Sequence, residues 1–127
     1  MLCSKIGAEC PHPAIRDNKY VFVMMPFKDS TSVFDAISQA VTGLQGKDFV
    51  CDRADEQYTH LSIWCNRICK NIRKAKYLIV DTTGKNPNVF YELGFAHALA
   101  HTKAIIITQK LEDAPFDVRD LNHIDSL

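Results

Sequence analysis

The sequence predicts an α/β domain built on a parallel sheet. Two observations carry that expectation. Short apolar runs recur at Tyr20–Met25, Phe49–Cys51, Tyr77–Asp81 and Ala104–Thr108. Segments with helical periodicity separate them, and strands alternating with helices imply βαβ units with right-handed crossovers. The expected architecture is a flavodoxin-like three-layer sandwich. Its parallel sheet has four strands in the order 2-1-3-4, with room for a fifth.

Each element has its own signal. Residues 1–18 contain Pro11 and Pro13 and no periodicity, so they read as an irregular leader to a single domain over 19–127. Tyr20–Met25 is an unbroken apolar run ended by Pro26, the signature of a central strand. Ser30, Thr31 or Ser32 caps a helix from about Val33 to Leu44. Phe34, Ile37, Val41 and Leu44 share one side of it, and Gly46 ends it. Phe49–Cys51 is a short second strand, followed by the polar loop Asp52–Gln57.

A second helix is expected over Leu61–Lys74. Leu61, Cys65, Ile68, Ile72 and Ala75 form its inward stripe, and Arg67, Lys70, Arg73 and Lys74 its solvated face. Tyr77–Asp81 is the third strand. Asn86 caps the next helix and Pro87 takes its first position. Ala104–Thr108 is the fourth strand, and the tail around Pro115, Phe116 and Asp117 has no strong pattern.

Composition bounds the function. The chain is 46% hydrophobic and 24% charged, as in ordinary globular domains. Fifteen basic residues balance fifteen acidic ones, so no general attraction to nucleic acid or anionic membrane is expected. No apolar run approaches the ~20 residues that a membrane helix needs. The first residues lack the apolar segment of a signal peptide, so the expected location is cytoplasmic and the five cysteines are expected to be reduced.

Cys51 ends an apolar run and Cys65 lies on a core stripe, so both read as small core residues. Cys65 and Cys69 have metal-compatible spacing, but packing is the simpler reading. Cys3, Cys10 and His12 make a better ligand set without a clear fourth member. No metal and no cofactor are expected.

In a parallel sheet, the loops after the strands share one edge, where α/β proteins bind ligands. Those loops carry Asp29, Asp52, Asp55, Glu56 and Asp81. Loop carboxylates often do no more than solvate a turn, the reading preferred for Glu56. Asp81 closes an apolar strand, so it is expected at the pocket wall. The chain has neither a Gly-x-Gly-x-x-Gly nor a Gly-x-x-x-x-Gly-Lys-Ser/Thr phosphate loop, and no Gly-x-Ser-x-Gly elbow.

The most informative stretch is Asn86-Pro-Asn-Val-Phe-Tyr-Glu-Leu-Gly94. Its helix stripe is Val89, Leu93, Ala96 and Ala100, and Glu92 lies roughly 60° to the side of Val89. A carboxylate there is half buried near the end of a strand. Gly94 in mid-helix costs roughly 0.5–1 kcal/mol against alanine and points to a close partner or ligand. Phe90, Gly94, His97 and His101 share a face that is neither core stripe nor well charged, so a homodimer or larger homo-oligomer is expected.

Val21-Phe-Val-Met-Met-Pro-Phe27, Arg53-Ala-Asp-Glu56, Leu78-Ile-Val-Asp-Thr-Thr-Gly84 and Asn86–Gly94 together resemble the nucleoside 2-deoxyribosyltransferase-like superfamily. The last block also resembles bacterial TIR-like nucleotide-binding and NAD-cleaving domains. The resemblance covers roughly residues 20–120. It implies that Glu92 is a nucleophile toward the anomeric carbon. It also implies that Pro26, Phe27, Arg53, Asp55, Asp81, Asn86 and Asn88 line the substrate site. The family carries an aspartate that protonates the base where this chain has Asn86, and an amide has no titratable proton to donate.

The resulting expectation is N-glycosidic bond cleavage or transfer on a nucleoside, nucleotide or NAD-like ligand. The alternative is a non-catalytic nucleotide-sensing module that signals through oligomerisation. Tyr91, His97 and His60 are candidate donors to the leaving base.

Overall fold

The computed structural model describes residues 2–3, 6–26, 31–53, 64–99, 103–113 and 123–125. A two-residue antiparallel pair, β1 (Leu2–Cys3) with β2 (Ala8–Glu9), stands apart from the main sheet. This is more order than the irregular leader expected from the sequence. Gly7 makes its turn possible at a φ of +65°.

The main sheet contains β3 (Asp17–Met24), β4 (Val50–Arg53), β5 (Ala75–Asp81), β6 (Lys103–Thr108) and β7 (His123–Asp125). The strands lie in the order β4-β3-β5-β6-β7, and every neighbouring pair is parallel. The protein is therefore an α/β fold on a parallel sheet.

β3 lies between two neighbours, which explains the unbroken burial from Tyr20 to Met25. It begins at Asp17, inside the expected leader, because polar Asp17–Lys19 carry no apolar signal. The ladder to β5 shifts register between Asp17 and Val21. β7 lies in the tail that showed no pattern.

Helix α1 (Thr31–Thr42) stops two residues short of the expected Leu44, which is left 51% exposed. Strand β4 extends through Arg53, so Asp52 and Arg53 are strand residues rather than loop residues. Phe49 precedes the strand and sets its ring edge-on to Tyr77 at 6.0 Å.

The second helical segment is a π-helical turn, Trp64–Cys69, running into the short helix α2 (Lys70–Lys74). The wider turn changes the phase of the inward stripe. Cys69 and Ile72 are buried, whereas Cys65 is only partly so. Ala75, expected as the end of that stripe, opens β5 instead.

Helix α3 spans Pro87–Leu99, with Pro87 at its first position as the sequence predicts. The core forms where one face of the sheet meets α2 and α3. Tyr20, Phe22, Met24, Leu78, Val80 and Ile106 pack there with Ile72, Val89, Leu93 and Ala96. On the opposite face, Val41 of α1 lies near Val21 and Ile79. Among the described residues, no helix is long and apolar enough to cross a membrane.

Candidate functional site

The carboxyl ends of β4, β3 and β5 are adjacent, and this adjacency assembles the site. Arg53 is level with Val23, and Met24 with Val80. Asp81, one residue further along β5, therefore stands beside the end of β3, where Met25 and Pro26 follow. Pro26, Arg53 and Asp81 thus share one edge. Phe27 and Asp55, expected beside them, lie outside the described residues, as do Asp29, Glu56, His60 and His101.

Arg53 is held in place by apolar neighbours. Its guanidinium lies 5.1 Å from the Phe34 ring centroid, and an NH group reaches Met25 Sδ at 3.8 Å. Asp81 is 7% exposed, and its Oδ1 accepts the backbone N–H of Thr83 at 3.0 Å. This side chain shapes its own turn, as aspartates often do after strands.

The loop between β5 and α3 is fastened to the neighbouring strand. Thr82 donates its N–H to Ile107 O at 3.0 Å. Thr83 Oγ1 accepts the N–H of Gln109 at 2.9 Å, and Gly84 donates its N–H to Asp113 Oδ2 at 3.0 Å. Gly84 at φ +81° and Lys85 at φ +56° then reverse the chain into the helix. A left-handed lysine is uncommon, and the surrounding bonds hold it there.

Asn86 ends this loop as a cap. Its Oδ1 accepts the N–H groups of Asn88 at 2.9 Å and Val89 at 3.3 Å. Its backbone carbonyl accepts the N–H of Phe90 at 3.2 Å. Asn88 sits exposed in the first turn.

Glu92 follows in the second turn and is 8% exposed, more buried than its position beside the stripe predicts. Among the described residues its carboxyl has no hydrogen-bond or ion-pair partner. Burial alone pushes its carboxyl up to about 7. An acid so placed is half ionised near neutrality, a range suited to catalysis and uncommon in a purely structural carboxylate.

Sequence reasoning missed the aromatic contacts along α3. Trp64 sets its ring edge-on to Tyr91 at 5.2 Å and to Phe95 at 5.3 Å. The spacing of Tyr91 and Phe95, one turn apart, was the available signal. Tyr91 is 57% exposed and His97 is exposed, so both remain reachable by a ligand. Among the described residues, Gly94 has no heavy atom within 4 Å of where a Cβ would stand, so their packing does not require it.

Asp52, expected in the crevice, instead accepts the Tyr20 hydroxyl at 2.9 Å through Oδ2. Burial and this bond raise the Tyr20 hydroxyl far above the usual tyrosine range. Cys10 is tied to the backbone of His12, and all five cysteines are free thiols. Among the described residues, no three His, Cys, Asp or Glu side chains gather as a metal site would require.

No protein family, curated protein or solved structure matches the chain.

Proposed function

We propose that the protein cleaves or transfers the N-glycosidic bond of a nucleoside, nucleotide or NAD-like ligand, with Glu92 as the nucleophile. One observation carries the reading. Glu92 is a buried carboxyl with no counter-ion among the described residues, on a helix that rises from the carboxyl edge of a parallel sheet, where α/β proteins bind ligands. Developing positive charge on a sugar is the partner such a group lacks.

In the reaction, the C–N bond to the base breaks as the anomeric carbon becomes oxocarbenium-like. A Glu92 oxygen then bonds to that carbon, giving a glycosyl ester. Water or a second base attacks the ester and releases the carboxylate. Arg53, Asp81, Asn88, Pro26, Phe27 and Asp55 are the proposed ligand contacts. The resemblance of the Asn86–Gly94 block to deoxyribosyltransferases supports these roles.

Asn86 narrows the substrate. Its Oδ1 already serves two helix amides, and its amide group has no titratable proton. A base that must be protonated to leave is therefore poorly served. A pyridinium base, as in an NAD-like ligand, departs neutral without a proton, so this leaving group suits the site best.

We further infer a flavodoxin-like three-layer arrangement, a cytoplasmic setting and a homodimer or larger homo-oligomer. Gly94 on α3, exposed and without a packing neighbour among the described residues, supports the assembly. The second reading, a nucleotide-sensing module without catalysis, is favoured by Asn86 alone. Incubation with deoxynucleosides, nucleotides and NAD, followed by chromatography for free base, decides between them. Base released by the wild-type protein and not by Glu92→Gln supports the enzyme. Saturable ligand binding with no release supports the sensor.

A further inference from the structure

The sheet face opposite Glu92's helix carries an apolar trough of about 450 Å³. Val21, Ile79 and Ile105 form its floor, and Val41, Leu44 and Phe49 its walls. Helix α1 is the only described helix on this face. Ile79 and Ile105 come from inner strands, yet both remain partly exposed. Leu44, just past the end of α1, is 51% exposed at the margin. A volume of this size falls within the roughly 300–1,000 Å³ typical of small-ligand sites.

The rest of the lining says what fits. Its polar groups are those of Gln45, Lys47 and Tyr77. All three can donate hydrogen bonds, and Lys47 brings the single charge among the described lining residues. Lys47 makes no ion pair among the described residues, and its neighbour Asp48 is exposed outside the lining. Among the described residues, no carboxylate lines the trough to attract a cation.

We propose that this trough binds an amphipathic monocarboxylate, its aliphatic chain on the Val21–Ile79–Ile105 floor and its carboxylate held by Lys47 with Gln45 and Tyr77. The β-branched floor and Leu44 match a flexible chain by burying its methylenes. The three donors match an anionic head through charge-assisted hydrogen bonds. The trough sits against the α1–β4 connection, whereas Glu92 lies on α3 across the sheet. The inference therefore stands independently of the proposed glycosidic chemistry.

Titration with decanoate, decanol and decylamine, followed by calorimetry and by isoleucine methyl shifts, tests it. Decanoate is expected to bind saturably, at least about tenfold tighter than decanol, as one charged hydrogen-bonded contact provides. The methyls of Ile79 and Ile105 should shift while that of Ile72 stays still. Lys47→Glu should lose about tenfold or more for decanoate and nothing for decanol. Leu44→Gln, at an exposed position that leaves the fold intact, should weaken both. Equal affinity for decanoate and decanol, preference for decylamine, or absence of saturable binding overturns the proposal. So does a sedimenting dimer that Leu44→Gln dissociates, because a second copy would then fill the trough.

Discussion

Oδ1 of Asn86 accepts the backbone N–H of Asn88 at 2.9 Å, so the position that resembles a base-protonating site acts here as a helix cap. Aspartate caps as well as asparagine and adds a titratable oxygen. Asn86→Asp should leave thermal stability within about 0.5 kcal/mol, a small change for equivalent caps. It should also raise base release from deoxynucleosides relative to NAD. An unchanged ratio in a folded variant would remove Asn86 from the account of substrate choice. Asn86→Ala should cost about 1 kcal/mol in denaturant unfolding through the lost cap.

Glu92→Gln should reduce base release by at least ~10³-fold, the scale expected for a lost covalent catalyst. Circular dichroism should show the fold intact. A folded Gln variant that still releases base would sink the assignment. If Glu92 is the nucleophile, a 2-fluoro-2-deoxy sugar with a good leaving base should leave a mass adduct on its peptide. Complete turnover with no labelled peptide at any time would leave Glu92 only an electrostatic role.

The raised pKa of Glu92 makes two pH predictions with opposite signs. Because the nucleophile is the carboxylate, activity should climb as pH rises through about 7. Stability should move the other way. The folded value of about 7 exceeds the ordinary 4.5, so the folded state holds more protons between them. The burial is fully tolerated below about 4.5 and grows costly as pH rises through about 7. Above that point, the penalty is about 3 kcal/mol at roughly 1.4 kcal/mol per unit. Glu92→Gln should therefore gain stability at pH 8 relative to wild type and gain little at pH 5. An equal effect at both pH values would show that Glu92 titrates normally.

Asp113 accepts from Gly84 across the loop that leads into α3. Asp113→Ala should free that amide to water and cost about 0.5–1.5 kcal/mol, the net worth of an ordinary hydrogen bond at an exposed glycine. It should also speed hydrogen exchange at Gly84 and Gln109 more than at Leu78. Uniform exchange across all three would show that the fastening is not local.

The parallel sheet was legible because continuous apolar runs such as Tyr20–Met25 mark strands buried on both faces. The α3 cap was legible because Asn-Pro has one good use at a helix start. Asp52 was misplaced because a strand's polar end looks like a loop until its partner, Tyr20, is known. Cys69 was read as a packing residue but left off the inward stripe, because a π-helical turn breaks the 3.6-residue phase that sequence reading assumes. The full burial of Glu92 was not legible either. Periodicity placed it beside the stripe, and only the surrounding sheet and helices determine how much water reaches it.

Tyr20→Phe removes the hydroxyl that Asp52 accepts and should cost about 1 kcal/mol in urea unfolding. In wild type, the Tyr20 hydroxyl should stay un-ionised in alkali until the protein unfolds, because burial and Asp52 both oppose its anion, and ultraviolet titration against Tyr20→Phe reads this. Ionisation of all four tyrosines in the native protein would contradict that hydrogen bond.

Trp64 is the chain's one tryptophan, and its indole touches Tyr91 and Phe95 on the helix that carries Glu92. The molecule therefore contains a built-in optical probe. Emission excited at the indole band comes from a single place, against the helix on which the proposed chemistry turns. Any ligand that moves α3 against the π-helical turn would change that emission, so occupancy can be followed without a label.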